Sequence, residues 1–148
     1  MSQSHGNDDY ICFSVAQSAL EDAENHINHD ATLNVLQEVY RMDVTITEGV
    51  YQGVAERSFI VNACHEKVVK QLCDLFKQEC YMLCKTHKHG LRKAYFVYPD
   101  GTEEFQGYLR EVSQETAEAS EGFTYRPDLH KFWIIDVDDS TQIGQGNA

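Results

Sequence analysis

The sequence contains no run of about 18 apolar residues, the length that a membrane-spanning helix requires. Basic residues are also scarce, since 12 Lys and Arg stand against 24 Asp and Glu, and the formal net charge is −12. A repulsive field of this sign opposes contacts with nucleic-acid phosphates. We therefore expect no membrane and no nucleic-acid partner. The acidity serves solubility and mildly favours cationic ligands.

Signals for secretion and for common cofactors are missing as well. The first residues, MSQSHGNDD, have neither a basic start nor an apolar stretch, so no secretion signal is expected. The five cysteines are odd in number, which then indicates reduced thiols and a cytoplasmic protein. No G-x-G-x-x-G follows a predicted strand, and no G-x-x-x-x-G-K-[ST] occurs anywhere. The sequence therefore predicts no cofactor.

Two short groups of possible metal ligands are present, but neither indicates a metal site. His87 and His89 form an H-x-H, and Cys80 and Cys84 form a C-x3-C. Zinc sites pair two chelating clusters at set spacing. Here the cysteines lie inside apolar elements and resemble small core residues. A cysteine nucleophile with an adjacent histidine base is equally poorly supported, and we expect no metal.

The chain length of 148 residues suits one domain. We expect a disordered leader at 1–9, a single α+β domain at 10–137 and a disordered tail at 138–148. Periodicity and turn signals predict strands at 10–18, 43–47, 57–63 and 80–84, helices at 31–41 and 65–78, a hairpin at 93–98 and 105–112, a mobile stretch at 114–121 and a last strand at 132–137. This order predicts a ferredoxin-like βαββαβ antiparallel sheet with two helices on one face and a C-terminal β-hairpin extension.

One segment between two predicted strands places a tyrosine and a glutamate in a glycine-bordered loop. Tyr51 and Glu56 are five residues apart there, and Gly49 and Gly53 border the loop. Ligands often bind at loops that follow strands, although an exposed Tyr and Glu occur in most proteins. The basic loop at 85–93 could equally hold an anion or be a solvated turn.

Six segments between residues 10 and 135 have a characteristic order and spacing. They are YICFSVAQSAL, GVYQG, ERSFIVNACHEKVVKQLCDLFKQECYML, the loop at 86–91, GYLREVS and GFTYRPDLHKFW. The first fits a Y-x-x-x-S-x-x-x-S-x-L pattern, and the loop fits T-H-x-x-G-L. In this arrangement the chain resembles the small phage-encoded S-adenosylmethionine hydrolases, more recently described as S-adenosylmethionine lyases.

The resemblance implies which residues form the site. Tyr51 and Glu56 take the places of a functional tyrosine and glutamate of that family. The Tyr51–Glu56 interval is shorter than in the best-known member, so Glu48 is the fallback for the carboxylate. A second departure is Gln17, where that member carries a basic residue. The residues expected to hold the substrate, chiefly its adenosine, are Ser14, Gln17, Ser18, Thr86 and His87.

The resemblance also implies a homotrimer with active sites between subunits, acting in the host cytoplasm to remove S-adenosylmethionine and counter restriction. The expected reaction needs no protein nucleophile, because the substrate carboxylate displaces the thioether and closes homoserine lactone. Glu56 would pair with the cationic end, and Tyr51 would donate a hydrogen bond that fixes the folded substrate. Alternatives are hydrolysis to homoserine, with Glu56 as a general base, a non-catalytic trimer that binds a nucleotide or other effector, and an acidic decoy of DNA.

Overall fold

Eight strands and three α-helices make up the part of the chain that the structure, a computed structural model, describes. That part comprises residues 8–87 and 90–137. The strands are β1 (Tyr10–Phe13), β2 (Thr45–Tyr51), β3 (Val54–Asn62), β4 (Tyr81–Thr86), β5 (Arg92–Val97), β6 (Glu103–Val112), β7 (Gly122–Arg126) and β8 (Lys131–Asp136). The helices are α1 (Asp22–Asn34), which continues as a π-helical turn over Val35–Val39, α2 (Glu66–Leu75), which follows a 3₁₀ turn over Ala63–His65, and α3 (Gln114–Ala119).

The strands close into one antiparallel barrel in the order β1-β3-β2-β7-β8-β6-β5-β4, and β4 pairs again with β1. The prediction of a ferredoxin-like βαββαβ sheet with a hairpin extension is therefore wrong. In such a sheet β4 and β2 would be edge strands with unpaired backbone groups. Here β5 pairs with β4 and β7 pairs with β2, so the later strands complete the wall of the barrel.

Local structure departs from the predictions at three places. Helix α1 begins at Asp22 rather than at residue 31, and the Glu24 carboxylate accepts a hydrogen bond from the Glu21 amide at 3.4 Å. The stretch at 114–121 was predicted to be mobile, but it contains α3, whose Ser113 hydroxyl accepts from the Thr116 amide at 3.2 Å. Strand β7 was not predicted. Helix α3 connects β6 to β7, and β7 pairs with both β2 and β8 in the wall of the barrel.

The apolar core lies between the outer wall of the barrel and the helices. Phe13 of β1 and Phe59 of β3 belong to it, together with Leu36 after α1 and Val69 of α2. The Phe13 and Phe59 rings contact each other with centroids 5.3 Å apart. The His29 ring of α1 stacks on Phe59 at a centroid distance of 4.2 Å and is buried.

The inner face of the barrel carries the alternate residues of each strand and is more polar. Cys12 of β1 pairs with Ile60, and Thr47 of β2 pairs with Ser58 of β3, so these side chains point away from the helices. Thr47 is fully buried. We call this set of inward-facing side chains the inner face.

Parts of two predictions lie outside the described residues. Residues 1–7, the greater part of the expected leader, and residues 138–148, the expected tail, are among them. Within the described ranges, no helix has the length and apolar character needed to cross a membrane.

Stability should depend on pH through His29. Burial lowers its pKa to about 4, and the neighbouring Arg57 charge adds to this effect. An unfolded histidine has a pKa near 6.5, so between about pH 6.5 and pH 4 the unfolded chain binds more protons and the fold loses stability as pH falls. We expect the wild type to lose roughly 1–2 kcal/mol more than His29→Phe between pH 7 and pH 5.

Urea unfolding at the two pH values measures this difference. The phenylalanine keeps a ring against Phe59 and removes the titrating group, so equal losses in both proteins would exclude His29 as the cause.

Candidate active site

Tyr51 and Glu56 lie in one tight hairpin rather than in a loop. Strands β2 and β3 are joined by Gln52 and Gly53, which both have positive φ, 51° and 81°. Two successive residues of this kind form the turn that matches the twist of a β-hairpin. Gly49, expected to border a loop, lies within β2 and pairs with Glu56.

The strand register puts Tyr51 and Glu56 on the same face. Tyr51 pairs with Val54, and Glu56 is two residues further along β3 on that face. Such diagonal neighbours have backbones about 7–8 Å apart. Both side chains are exposed at one end of the barrel, and they continue the inner face that Thr47 and Ser58 begin.

Glu56 also interacts with Ser14, the predicted residue that directly follows β1. Although the carboxyl is exposed, desolvation by the surrounding protein raises its pKa, and a hydrogen bond with the Ser14 hydroxyl acts in the opposite direction. Ser14 itself is buried, and its hydroxyl accepts from the Ala16 amide at 3.0 Å. Three of the predicted residues are therefore brought together.

Cys12, Thr47 and Ser58 continue the inner face from Glu56 into the barrel, and the sequence patterns did not predict a role for them. Burial raises the pKa of the Cys12 thiol to about 11, while the neighbouring Thr47 and Ser58 hydroxyls lower it and the Glu56 charge raises it. A thiol with this pKa is protonated at neutral pH and is a poor nucleophile. The Thr47 hydroxyl, although close to Cys12, has no well-formed hydrogen bond within the described residues. The one sequence signal for Cys12, Thr47 and Ser58 is the alternation of small polar residues with apolar residues along the strands.

Gln17 and Ser18 lie in the segment after β1, at the same end of the barrel. The Gln17 amide donates to the Asn25 side-chain oxygen at 2.8 Å, and the Asn25 side-chain amide donates to the Gln17 carbonyl at 2.9 Å. This reciprocal pair attaches the segment to α1. Ser18 is exposed. Both residues border the end at which Glu56 lies.

Thr86 and His87 lie at the opposite end of the barrel. The Thr86 amide donates to the Asp9 carboxylate at 2.9 Å, and its hydroxyl donates to the Asp8 carbonyl at 3.4 Å. Cys84 of β4 pairs with Tyr10 at the start of β1, so Thr86 lies two residues beyond this end and Ser14 just beyond the other end, roughly 20 Å away along the strand direction. A single chain therefore does not bring Thr86 and His87 to Glu56.

Glu121 contacts Tyr51, a contact that no sequence pattern indicated. The Tyr51 hydroxyl donates to the Glu121 carboxylate at 3.4 Å, and the Gln52 side-chain amide donates to the same carboxylate at 3.2 Å. The two glutamates of this end thus flank the tyrosine in space, one on the β3 side of β2 and the other on the β7 side. The contact joins residues 70 apart, which sequence spacing does not reveal.

Glu48, the fallback carboxylate, points to the opposite face of β2. It pairs with Arg57 on β3 and with Tyr125 on β7. It lines an outer cleft of about 490 Å³ together with Val50, Ala55, Gln114, Phe123, Tyr125, His130 and Phe132. Glu48 and Glu56 therefore belong to different surfaces and cannot serve one small-molecule site of a single chain together.

Among residues 8–87 and 90–137, no group of three or more His, Cys, Asp or Glu side chains could hold a metal ion. His89, part of the H-x-H, lies outside these residues.

A family model described as the S-Adenosylmethionine lyase family matches residues 11–136. The match covers all eight strands except the first residue of β1. This chain belongs to the S-adenosylmethionine lyase family. No curated protein matches it.

Family membership identifies the general chemistry. It indicates S-adenosylmethionine lyase activity, with S-adenosylmethionine as the small-molecule substrate. It confirms the resemblance noted from the sequence segments.

Proposed function

We propose that the protein converts S-adenosylmethionine to methylthioadenosine and L-homoserine lactone, with the site at the Tyr51–Glu56 end of the barrel. The observation that carries this proposal is the register of β2 and β3, which places Tyr51 and Glu56 as diagonal neighbours on one face. Ser14, also expected from the sequence, interacts with Glu56 there. The family match supports the substrate.

The reaction is an intramolecular displacement. The substrate carboxylate attacks its own Cγ, a C–O bond forms, the Cγ–S bond breaks and its electron pair returns to the sulfur. No proton, oxidant or reductant is required. Correct alignment of a carboxylate with an internal leaving group supplies about 7–11 kcal/mol of the barrier reduction in well-oriented systems. The protein therefore has to fold the substrate rather than attack it.

Glu56 supplies a negative charge for the cationic end of the substrate, and Tyr51 fixes the folded conformer. Ser14, Gln17 and Ser18 border this site and contact the substrate from the segment after β1. The protonated state of Cys12 agrees with a reaction that uses no protein nucleophile.

A homotrimer would complete the site with Thr86 and His87 of a neighbouring subunit. The roughly 20 Å between these residues and Ser14 within one chain supports this arrangement. In the host cytoplasm, such an enzyme would remove the methyl donor that restriction-modification systems need. We propose this anti-restriction role, in a phage-infected cell, as the biological context.

The products should identify the reaction. In ¹⁸O-labelled water, lactone formation followed by ring opening places the label in the carboxyl group of homoserine, whereas direct hydrolysis places it in the Cγ hydroxyl. Mass spectrometry after a short reaction should detect methylthioadenosine, the lactone and carboxyl-labelled homoserine. Hydroxyl-labelled homoserine would identify a hydrolase, and no methylthioadenosine at all would favour a non-catalytic effector-binding protein.

Replacing Glu56 with Gln should lower turnover about 10- to 150-fold, because charge-assisted hydrogen bonds contribute about 1.5–3 kcal/mol. Since desolvation raises the pKa of Glu56, wild-type activity should also fall on acidification at a higher pH than an ordinary glutamate would cause. Glu38→Gln, an exposed acid on the π-helical turn, is the matched control. Loss of turnover in Glu48→Gln with full activity in Glu56→Gln would instead assign the role to the outer cleft.

Subunit mixing tests the shared site. Glu56→Gln and His87→Ala should each be weakly active alone, but refolding the two together should restore activity, because some interfaces then combine an intact Glu56 with an intact His87. Light scattering should give the mass of three chains. A monomeric mass, or no recovery on mixing, would contradict the shared site.

A further inference from the structure

The Tyr51 ring packs against the backbone of β7 at Gly122. Tyr51 pairs with Gly122 of β7 as well as with Val54 of β3. A Cβ at Gly122 would come within 2.9 Å of the Tyr51 ring and 3.0 Å of the Val50 carbonyl oxygen. Only a glycine leaves this space free, so the ring packs directly against the backbone of β7.

Glu121, the residue before Gly122, connects the turn of the β2–β3 hairpin to the start of β7. Its backbone carbonyl accepts from the Gln52 amide at 2.9 Å. Its carboxylate accepts from the Tyr51 hydroxyl at 3.4 Å and from the Gln52 side-chain amide at 3.2 Å. The Gln52 side chain also lies 3.4 Å from the Tyr51 oxygen and donates to it.

These contacts determine the direction in which the Tyr51 O–H bond points. An ionised carboxylate can only accept a hydrogen bond, so the phenol proton is directed at Glu121. The Gln52 side-chain amide donates to one lone pair of the phenol oxygen, and the other lone pair is left for another partner. An oxygen presented in this way, beside a carboxylate, attracts a positive charge and not the substrate carboxylate.

We propose that Glu121 is a positioning residue that orients the Tyr51 oxygen toward the sulfonium of S-adenosylmethionine, and so gives the site its preference for a cationic ligand. This inference rests on the proposed function, and it assigns to Tyr51 an acceptor role toward the sulfonium. Glu56 then remains for the α-ammonium group. The two carboxylates would match the two positive charges of the substrate, one on each side of Tyr51.

The test compares two analogues that the lyase cannot cleave. Sinefungin carries a protonated amine where the substrate has its sulfonium, and S-adenosylhomocysteine has a neutral thioether at that position. Their Kd ratio, measured by calorimetry, reports the charge preference at this one position. We expect the wild type to prefer sinefungin, and Glu121→Gln to reduce that preference about 2- to 5-fold, the range of partly exposed charge interactions.

Two further variants separate positioning from a general loss of structure. Glu118→Gln, in which an exposed glutamate of α3 that accepts from Gln114 is changed, should keep the wild-type ratio. Tyr51→Phe should reduce the ratio as Glu121→Gln does, and combining the two changes should add nothing, because Glu121 acts through the Tyr51 oxygen. Thermal unfolding of each variant verifies that the fold is kept.

The possible outcomes are distinct. An unchanged ratio in Glu121→Gln, or additive effects in the double variant, would overturn this inference while leaving the lyase reaction intact. A wild type that binds both analogues equally would also overturn it. A wild type that binds neither analogue and leaves S-adenosylmethionine intact would overturn the proposed function itself.

Discussion

The pairing of β2 with a strand on each side is the constraint on which the candidate site depends. Its hydrogen bonds to β3 and β7 fix the register of Tyr51 against both Val54 and Gly122. A slip of one residue in either pairing would turn a whole strand face from the inside to the outside of the barrel. Tyr51, Glu56 and Glu121 therefore meet only because this one strand is paired along both edges.

The chemistry of the site follows from what the inner face contains. Small polar side chains and one protonated thiol lie below Glu56, and no ionised nucleophile is among those described. Such a surface binds and shapes a charged ligand. An activated substrate that carries its own attacking group and leaving group suits it, since positioning alone then supplies most of the acceleration.

Sequence patterns predicted most of the helices and strands, but not that the strands close into a barrel. The first six elements do follow the order β-α-β-β-α-β, and the Tyr51–Glu56 pair was recognised as a candidate. Strand β7 was missed because it has only five residues and is followed by Pro127, and the start of α1 was placed too late because the apolar pattern of its first turns is weak. The Glu121–Tyr51 contact and the β2–β7 pairing join distant parts of the chain, and local periodicity contains no information about them.

The two-residue turn at Gln52 and Gly53 has a consequence for the length of this hairpin. Tyr51 and Glu56 share a face because Tyr51 opposes Val54 and Glu56 follows two residues later on β3, a relation that the strand pairing sets and the length of the turn does not. A related chain could carry extra residues in the turn and keep both groups inward, provided that the same residues stay opposed. An extra residue inside β3, between Val54 and Glu56, would instead turn the carboxylate to the opposite surface, so the place of an insertion rather than its length limits the variation of this segment.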